Sequence, residues 1–153
     1  MEQFFVDYLE ILHTLSRDFI ATFDDLPVEA LDWVPGVEMN SFDILVVHTV
    51  GAALYFLSDI VSSESTNRNR ALEFQAKGLT HDELKAKFAA LETYAHSLCE
   101  RLTLADLATS RAVTLRDGTV RQMSNAYAMQ HVLDHTGLHL GHAQITRQLW
   151  QTR

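Results

Sequence analysis

Apolar residues recur at helical spacing in four separate stretches of the chain. In the first stretch, which ends near Phe23, apolar side chains return every three or four residues with charged side chains between them. This spacing predicts an amphipathic helix. A second helix is predicted from Phe42 to Val61, because Ser41 can cap its first turn and Asp43 lies at the positive end of its dipole.

A long polar segment, residues 62–79, separates the second helix from the third. It is longer than the turn of a tight helical hairpin, so it predicts a crossover from one end of a bundle to the other. Thr80 and Glu83 then form a capping-box pattern. Apolar residues at alternating three- and four-residue steps predict a third helix from there to Leu102.

The last third of the chain predicts a small hairpin followed by a fourth helix. β-Branched residues alternate on either side of Asp117-Gly118, a dipeptide favoured in type I′ hairpin turns, and a plain loop is the alternative. The fourth helix is predicted to begin at Ser124 or Asn125 and to continue to about Trp150.

The composition is that of one globular domain. The chain has 153 residues, of which 47% are hydrophobic and 21% charged. Both prolines lie in one connection, residues 24–40, which leaves the four helical stretches uninterrupted. We therefore predict an all-α fold, a four-helix bundle that forms a single domain over residues 1–153.

Charge and cysteine content exclude several classes of function. The net charge is -8, and residues 1–100 contain 6 Lys and Arg against 17 Asp and Glu. The basic residues of the last third are scattered, so no nucleic-acid partner is expected. Cys99 is the single cysteine, which excludes a cysteine-based zinc motif and favours a reducing compartment. The start lacks the features of a secretory signal, and no apolar run approaches membrane-spanning length, so a cytoplasmic protein without a membrane partner is expected.

Four of the eight histidines lie in one short segment, HVLDHTGLHLGHAQ, which begins at His131. At about 100° per residue, His135, His139 and His142 lie about 40°, 80° and 20° from His131, so all four share one helix face. Apolar residues on the same face predict that it points into the bundle. Burying several imidazoles is costly unless their nitrogens find partners, and a divalent cation supplies one. The pairs His131 with His135 and His135 with His139 have the i, i+4 spacing that reaches a single ion.

A further ligand must come from another helix. His48, at the flank of the apolar stripe of the second helix, is the candidate. Tyr55 and Asp59 follow along the same side as candidates for proton transfer or for orienting a ligand, and the alternatives are a boundary tyrosine and a solvated acid. Three imidazoles do not select among zinc, nickel, iron, copper and manganese.

The other histidines and the cysteine are predicted to be structural. His13, His81 and His96 lie on polar helix faces or in a first turn, so they are expected at the surface. Cys99 neighbours a core leucine, and it is expected to be a small packed residue rather than a nucleophile.

The chain resembles the DinB-like proteins, which include metal-dependent hydrolases of the YfiT type, over essentially its whole length. Two segments carry the resemblance: LDWVPGVEMNSFDILVVHTVGAALYFL, which contains His48, and HVLDHTGLHLGHAQITRQLW. The resemblance implies an up-down-down-up four-helix bundle with a long crossover between helices two and three. It also implies a divalent metal held by His48, His135 and His139. Family members often have glutamine where this chain has His142, so the roles of His131 and His142 stay open.

The resemblance implies a metal-dependent enzyme that activates a low-molecular-weight thiol or a water molecule against a small-molecule substrate, as a transferase or a hydrolase. Zinc or nickel is the expected metal, with iron or manganese as alternatives. A homodimer is a further expectation, because relatives often pair through exposed helix faces. The rival hypotheses are a non-enzymatic, stress-associated metal-binding bundle and a helical interaction module without metal, which leaves the four histidines unexplained.

Overall fold

The computed structural model describes residues 1–115 and 117–153, and these residues are mostly helical. Five α-helices, two 3₁₀ turns, one π-helical segment and a two-stranded sheet occur within them. The α-helices are α1 (Gln3–Ala21), α2 (Phe42–Tyr55), α3 (Arg70–Glu73), α4 (His81–Cys99) and α5 (Asn125–Thr152). The strands are β1 (Ser110–Thr114) and β2 (Val120–Ser124), the 3₁₀ turns are Val28–Ala30 and Leu104–Ala108, and the π-helical segment is Phe56–Ser62.

Local capping fixes where the long helices begin. The Ser41 hydroxyl accepts a hydrogen bond from the backbone N–H of Ile44 at the start of α2. At α4 the capping box is complete, because the Thr80 N–H donates to the Glu83 carboxylate at 2.8 Å and the Thr80 hydroxyl accepts from the Glu83 N–H. Both predicted N-caps are confirmed, as expected for contacts that depend on three neighbouring residues.

The four long helices enclose the core. Both α1 and α2 pack against α4 and against α5. Aromatic pairs connect them: the ring centroids of Phe19 and Phe88 lie 5.2 Å apart, and those of Phe23 and Phe42 lie 5.9 Å apart. All four rings are almost completely buried. Burial of large aromatic side chains is therefore a main source of the stability of the fold.

Contacts at the helix ends relate α2 to α4. The Leu79 N–H, just before α4, donates to the Asp43 carboxylate in the first turn of α2 at 3.1 Å. Farther along, the Tyr94 hydroxyl of α4 lies 3.2 Å from the Ser62 hydroxyl at the end of the π-helical segment. The two helices thus begin near each other and are again in contact one helix length later.

The helical stretch from Phe42 to Ser62 is long and apolar enough to cross a membrane, with a mean hydropathy of 1.9 over its most apolar 18 residues. The prediction that no apolar run approaches that length is therefore wrong. However, 61% of its most apolar window is buried inside the protein, as in the core helix of a soluble domain. The stretch is apolar because several other elements pack around it.

The hairpin is present, but its tip differs from the prediction. β1 and β2 pair antiparallel, with Ser110 opposite Ser124 and Thr114 opposite Val120. The Leu115 N–H also donates to the Thr119 carbonyl at 2.7 Å, so the connection is longer than the two-residue turn that the Asp-Gly dipeptide predicts. On its inner face the hairpin buries Val113 and Met123 against the helices.

Candidate metal centre

Three histidines meet where α2 faces α5. His48 comes from the middle of α2, and His135 and His139 come from successive turns of α5. One ring nitrogen of each lies within 4.8 Å of the other two. The Nε2 atoms of His135 and His139 are 3.2 Å apart, and the His48 ring centroid lies 5.2 and 5.1 Å from theirs. The structure therefore brings together the three side chains that the sequence nominates.

The spacing of the two α5 nitrogens fits a single transition-metal ion. Two nitrogens bound at about 2.0–2.1 Å to one ion lie roughly 2.9–3.4 Å apart for right-angled to tetrahedral coordination. The 3.2 Å between the Nε2 atoms of His135 and His139 lies within that range. The donor set, three imidazoles without a carboxylate or thiolate, suits zinc, nickel, copper or iron.

Burial keeps these imidazoles neutral. It lowers the pKa of His135 to about 3 and that of His139 to about 4, with a smaller contribution from the neighbouring histidines. Burial also lowers the pKa of His48, against the opposing effect of Glu73. Neutral imidazole is the form that binds metals, so at neutral pH the three rings need lose no proton before they coordinate an ion.

His48 is held from behind by a buried carboxylate. Its Nδ1 lies 2.8 Å from Oε2 of Glu73, whose side chain is only 8% exposed. Arg68 donates to both oxygens of the same carboxylate, at 2.5 and 2.8 Å. Burial opposes ionisation of Glu73, but the hydrogen bonds from Arg68 and His48 outweigh it and lower the pKa of the carboxyl. An ionised Glu73 accepts the Nδ1 proton of His48, which leaves the lone pair on Nε2 of that ring available to a metal ion.

Gly51 makes room for this carboxylate. It lies in α2, one turn after His48, and a Cβ atom added there would lie 2.5 Å from Oε1 of Glu73. No real Cβ contact is that short. A glycine inside a helix is unfavourable by about 1 kcal/mol relative to alanine, so close approach of Glu73 is a physical reason for its presence.

Glu73, Arg68 and α3 are not predicted from the sequence. All three lie in residues 62–79, which read as a polar crossover because charged residues there resemble a solvated connection. One local signal exists, since the Asn69 side chain accepts from the Leu72 N–H and caps the short α3. That cap predicts a helical turn at most, and the contact with His48 spans 25 residues.

The histidine face of α5 lies at the edge of the contact with α2, so the prediction that it points into the interior is correct only in part: His135 and His139 are half-buried against His48, and most of the rest of the face is exposed. Apolar residues on this face are exposed: Tyr127 by 36%, Leu138 by 57%, Ile145 by 49% and Leu149 by 39%. The buried face of α5 lies roughly a quarter turn away, and it contains Val132, Thr136, Leu140 and Ala143. The candidate centre is consequently accessible from solvent on one side.

The two remaining histidines of α5 flank the centre. Nδ1 of His142 lies 3.3 Å from Nδ1 of His139, on an exposed position of the helix. His131 is half-buried, with its ring 4.4 Å from Phe56 and stacked on Tyr127 at 6.0 Å. Neither belongs to the group of three that can reach one ion.

A cavity of about 410 Å³ opens beside His48 and His135. One wall is polar and is formed by His48, His131, His135, Tyr55, Arg68 and Arg70. The apolar part of the lining is formed mainly by Ala52, Phe56, Val113, Leu115 and Met123. Its volume is in the range of small-molecule sites. The hairpin thus has a role in the site, because β1 and β2 supply part of the apolar wall.

Comparison with known proteins identifies the family. The family model described as DinB superfamily matches residues 11–143, which is most of the chain. The chain belongs to the DinB superfamily. A crystal structure of a conserved protein from Enterococcus faecalis is similar, with a TM-score of 0.77 over 95% of this chain and 96% of that one. Its sequence identity is 14%, so this likeness concerns the fold alone. No curated protein matches the chain significantly.

Tyr55 and Asp59 have different places in this DinB-superfamily protein. Tyr55 lines the cavity, and the Arg68 guanidinium carbon lies 5.6 Å from the centroid of its ring. The Asp59 carboxylate accepts from the backbone N–H and the hydroxyl of Thr66, at 3.1 and 2.6 Å. Asp59 therefore holds the start of the crossover, and Tyr55 is the one of the two that borders the candidate centre.

The histidines outside α2 and α5 are structural, as predicted, with one correction. His13 and His96 are exposed and lie 3.1 and 3.6 Å from Glu92 and Glu100, respectively. His81 was expected at the surface but is half-buried, with its Nε2 2.9 Å from the Leu26 carbonyl. It belongs at the junction between the end of α1 and the start of α4.

Cys99 is 1% exposed, and burial raises the pKa of its thiol to about 11. A thiol that stays protonated at neutral pH is a poor nucleophile. The prediction of a small packed residue is confirmed.

Proposed function

We propose that this protein is a metal-dependent enzyme in which His48, His135 and His139 hold one divalent transition-metal ion. Zinc or nickel is the preferred ion, and iron or manganese is the alternative. The observation that carries the proposal is that three neutral imidazoles converge beside an open cavity, which His48 and His135 line. A purely structural ion uses a closed set of four protein ligands, whereas three ligands leave a position for a reactant.

The bound metal would supply Lewis acidity, which activates a low-molecular-weight thiol or a water molecule against a small substrate. The chain's own residues prepare the site. Glu73 keeps the proton of His48 on Nδ1, and Arg68 holds Glu73 in place and ionised. Tyr55 and His131 border the cavity with a hydroxyl and an imidazole that can contact a substrate. The apolar wall limits the access of bulk water to the reacting groups.

The helix arrangement that we infer is the up-down-down-up four-helix bundle of α1, α2, α4 and α5, as one domain over the whole chain. The contacts between the starts and later turns of α2 and α4 support a parallel pair. The end of α5 is likewise next to the end of α1, since Arg147 donates to the Thr22 carbonyl at 3.1 Å. In such a bundle the crossover must span the length of a helix, and this passage brings Arg68 and Glu73 past His48.

The remaining parts of the proposal concern the cellular context. We propose a cytoplasmic protein that acts on a small molecule, without nucleic-acid or membrane partners, and that forms a homodimer. The single buried thiol supports a reducing compartment such as the cytoplasm. The net charge of -8 argues against a nucleic-acid partner. Exposed apolar side chains on α1 and α5, among them Phe4 and Ile11, offer a surface for pairing.

Metal analysis of protein purified without an affinity tag tests the proposal. We expect about one equivalent of a transition metal in the wild type and none in a His135→Ala/His139→Ala variant. The matched control is His13→Ala/His96→Ala, which removes two exposed histidines and should retain the metal. If the purified wild type contains no metal and takes up neither zinc, nickel nor manganese when these are added, the metal centre is refuted.

Chelation of the loaded protein separates the enzyme from a non-enzymatic metal-binding bundle. An enzyme with a preformed core should keep its helical circular dichroism after chelation and lose its turnover of thiol with a chromogenic electrophile. If chelation unfolds the protein and no turnover is found before it, the ion mainly ties α2 to α5.

A further inference from the structure

The cavity beside the candidate centre carries positive charge in an acidic protein. Arg68 and Arg70 both line it, and none of the described residues that line it is acidic. These are two of only 6 basic residues among residues 1–100, where 17 are acidic. The ionised Glu73 carboxylate behind Arg68 offsets part of this charge, and the apolar lining concentrates the remaining positive field on a ligand of the opposite sign.

Both guanidinium groups have contacts that restrain them. Arg68 uses Nε and Nη2 to bind Glu73, so its Nη1 amine takes no part in that pair. Arg70 places its guanidinium carbon 4.4 Å from the centroid of the Phe74 ring. Guanidinium groups restrained in this way match the geometry of carboxylate and phosphate oxygens.

The part of the cavity that the hairpin borders is apolar. Val113 and Met123 of the hairpin are buried side chains whose apolar surface faces the same cavity, together with Phe56. Arg111 fixes the hairpin to the end of the π-helical segment, by donating to the Ser63 hydroxyl and, at 3.2 Å, to the Val61 carbonyl. A ligand that fills this cavity therefore needs an anionic end and an apolar end.

We propose that this cavity binds a small molecule whose carboxylate or phosphate group is held by Arg68 and Arg70 and whose apolar portion packs against the β-hairpin. The inference rests on the proposed function, because it assigns the chemical class of substrate to the cavity that borders the metal ligands. The crossover supplies the anion contacts and the hairpin supplies the apolar contacts.

The test is to titrate the metal-free protein with small probe molecules and to monitor binding by two-dimensional ¹H–¹⁵N NMR. The probes are hexanoate, hexyl phosphate and hexanol, which share one apolar chain and differ in the head group. We expect at least one anionic probe to bind at least about tenfold more tightly than hexanol, as a charged hydrogen-bonded contact provides. The stronger of the two anions identifies the group.

The variant Arg70→Gln should weaken binding of that anion by about tenfold or more. Arg17→Gln is the matched control, since its side chain is 64% exposed on α1 and the change in charge is the same. If Arg70→Gln binds the anion as well as the wild type does, or if hexanol binds as well as both anions, the proposal is wrong. Absence of binding by all three probes also refutes it.

The wild-type spectra give a second criterion that does not require a folded variant. Amide shifts on adding the anion should cluster at residues 52–56, 68–70 and 113–115, and a cluster elsewhere contradicts the proposal. Because the protein is metal-free, this result is independent of metal content. Failure of the metal analysis and failure of the anion titration are therefore distinguishable.

Discussion

Replacing Gly51 with alanine tests how the candidate metal centre is held together. The new Cβ would lie 2.5 Å from Oε1 and 3.1 Å from Cδ of Glu73. To reach an ordinary contact of 3.4 Å, the carboxylate must move by about 0.9 Å. A free glutamate would move easily, but this one is bound by Arg68 at 2.5 and 2.8 Å and by His48 at 2.8 Å. The displacement therefore disrupts the support of His48.

Loss of such support behind a metal-binding histidine typically costs 10–100-fold in metal affinity. For Gly51→Ala we expect zinc binding to weaken by that factor, or about 1.4–2.8 kcal/mol. The fold should survive, because alanine gains about 1 kcal/mol over glycine in a helix, which offsets part of the lost Glu73 contacts. The assay is competition for zinc with a chromogenic chelator, alongside circular dichroism of the metal-free protein.

Gly141→Ala is the matched control. Gly141 lies in α5 between His139 and His142, yet a Cβ added there meets no atom within 4 Å. This variant should bind zinc as the wild type does, with unchanged or slightly higher thermal stability. If Gly51→Ala also binds zinc with wild-type affinity, then Glu73 does not orient His48, and the reasoning from the buried carboxylate fails.

Two further predictions concern stability. The pKa values of His135 and His139 are lowered by burial to about 3 and about 4, so below pH 6.5 the unfolded chain binds more protons than the native one. The urea midpoint of metal-free protein should therefore be highest above pH 6.5 and fall as the pH drops from 6.5 towards 4. A His135→Gln/His139→Gln variant should show a smaller fall, and an equal fall would contradict the assignment of this pH dependence to His135 and His139. In the core, Phe88 is 1% exposed and packs on Phe19, so Phe88→Ala should lower the free energy of unfolding by about 3–5 kcal/mol in urea denaturation. Phe4→Ala, at a 43% exposed position, should lower it far less.

Much of the helical framework could be predicted because its signals are local. Ser41 caps α2 and Thr80 caps α4 through bonds to residues three positions away, so the same contacts can form in any chain with those short sequences. The i, i+4 spacing of His135 and His139 likewise brings their side chains close together once α5 is helical. The prediction of His48 has no such local basis: it rests on the need for a ligand from a second helix and on the resemblance to DinB-like proteins.

Tertiary structure alone decided how exposed each face is and what supports the site. The period of α5 shows that its histidines share a face, but the position of α2 determines that this face is a solvent-accessible rim. Glu73 appears in the sequence as one acid in a polar connection. It becomes a buried partner of His48 because the crossover packs across α2 at the one position, Gly51, where no side chain obstructs it. Sequence periodicity predicts which residues share one face of a helix. Contacts between distant segments depend on tertiary packing, which no local pattern contains.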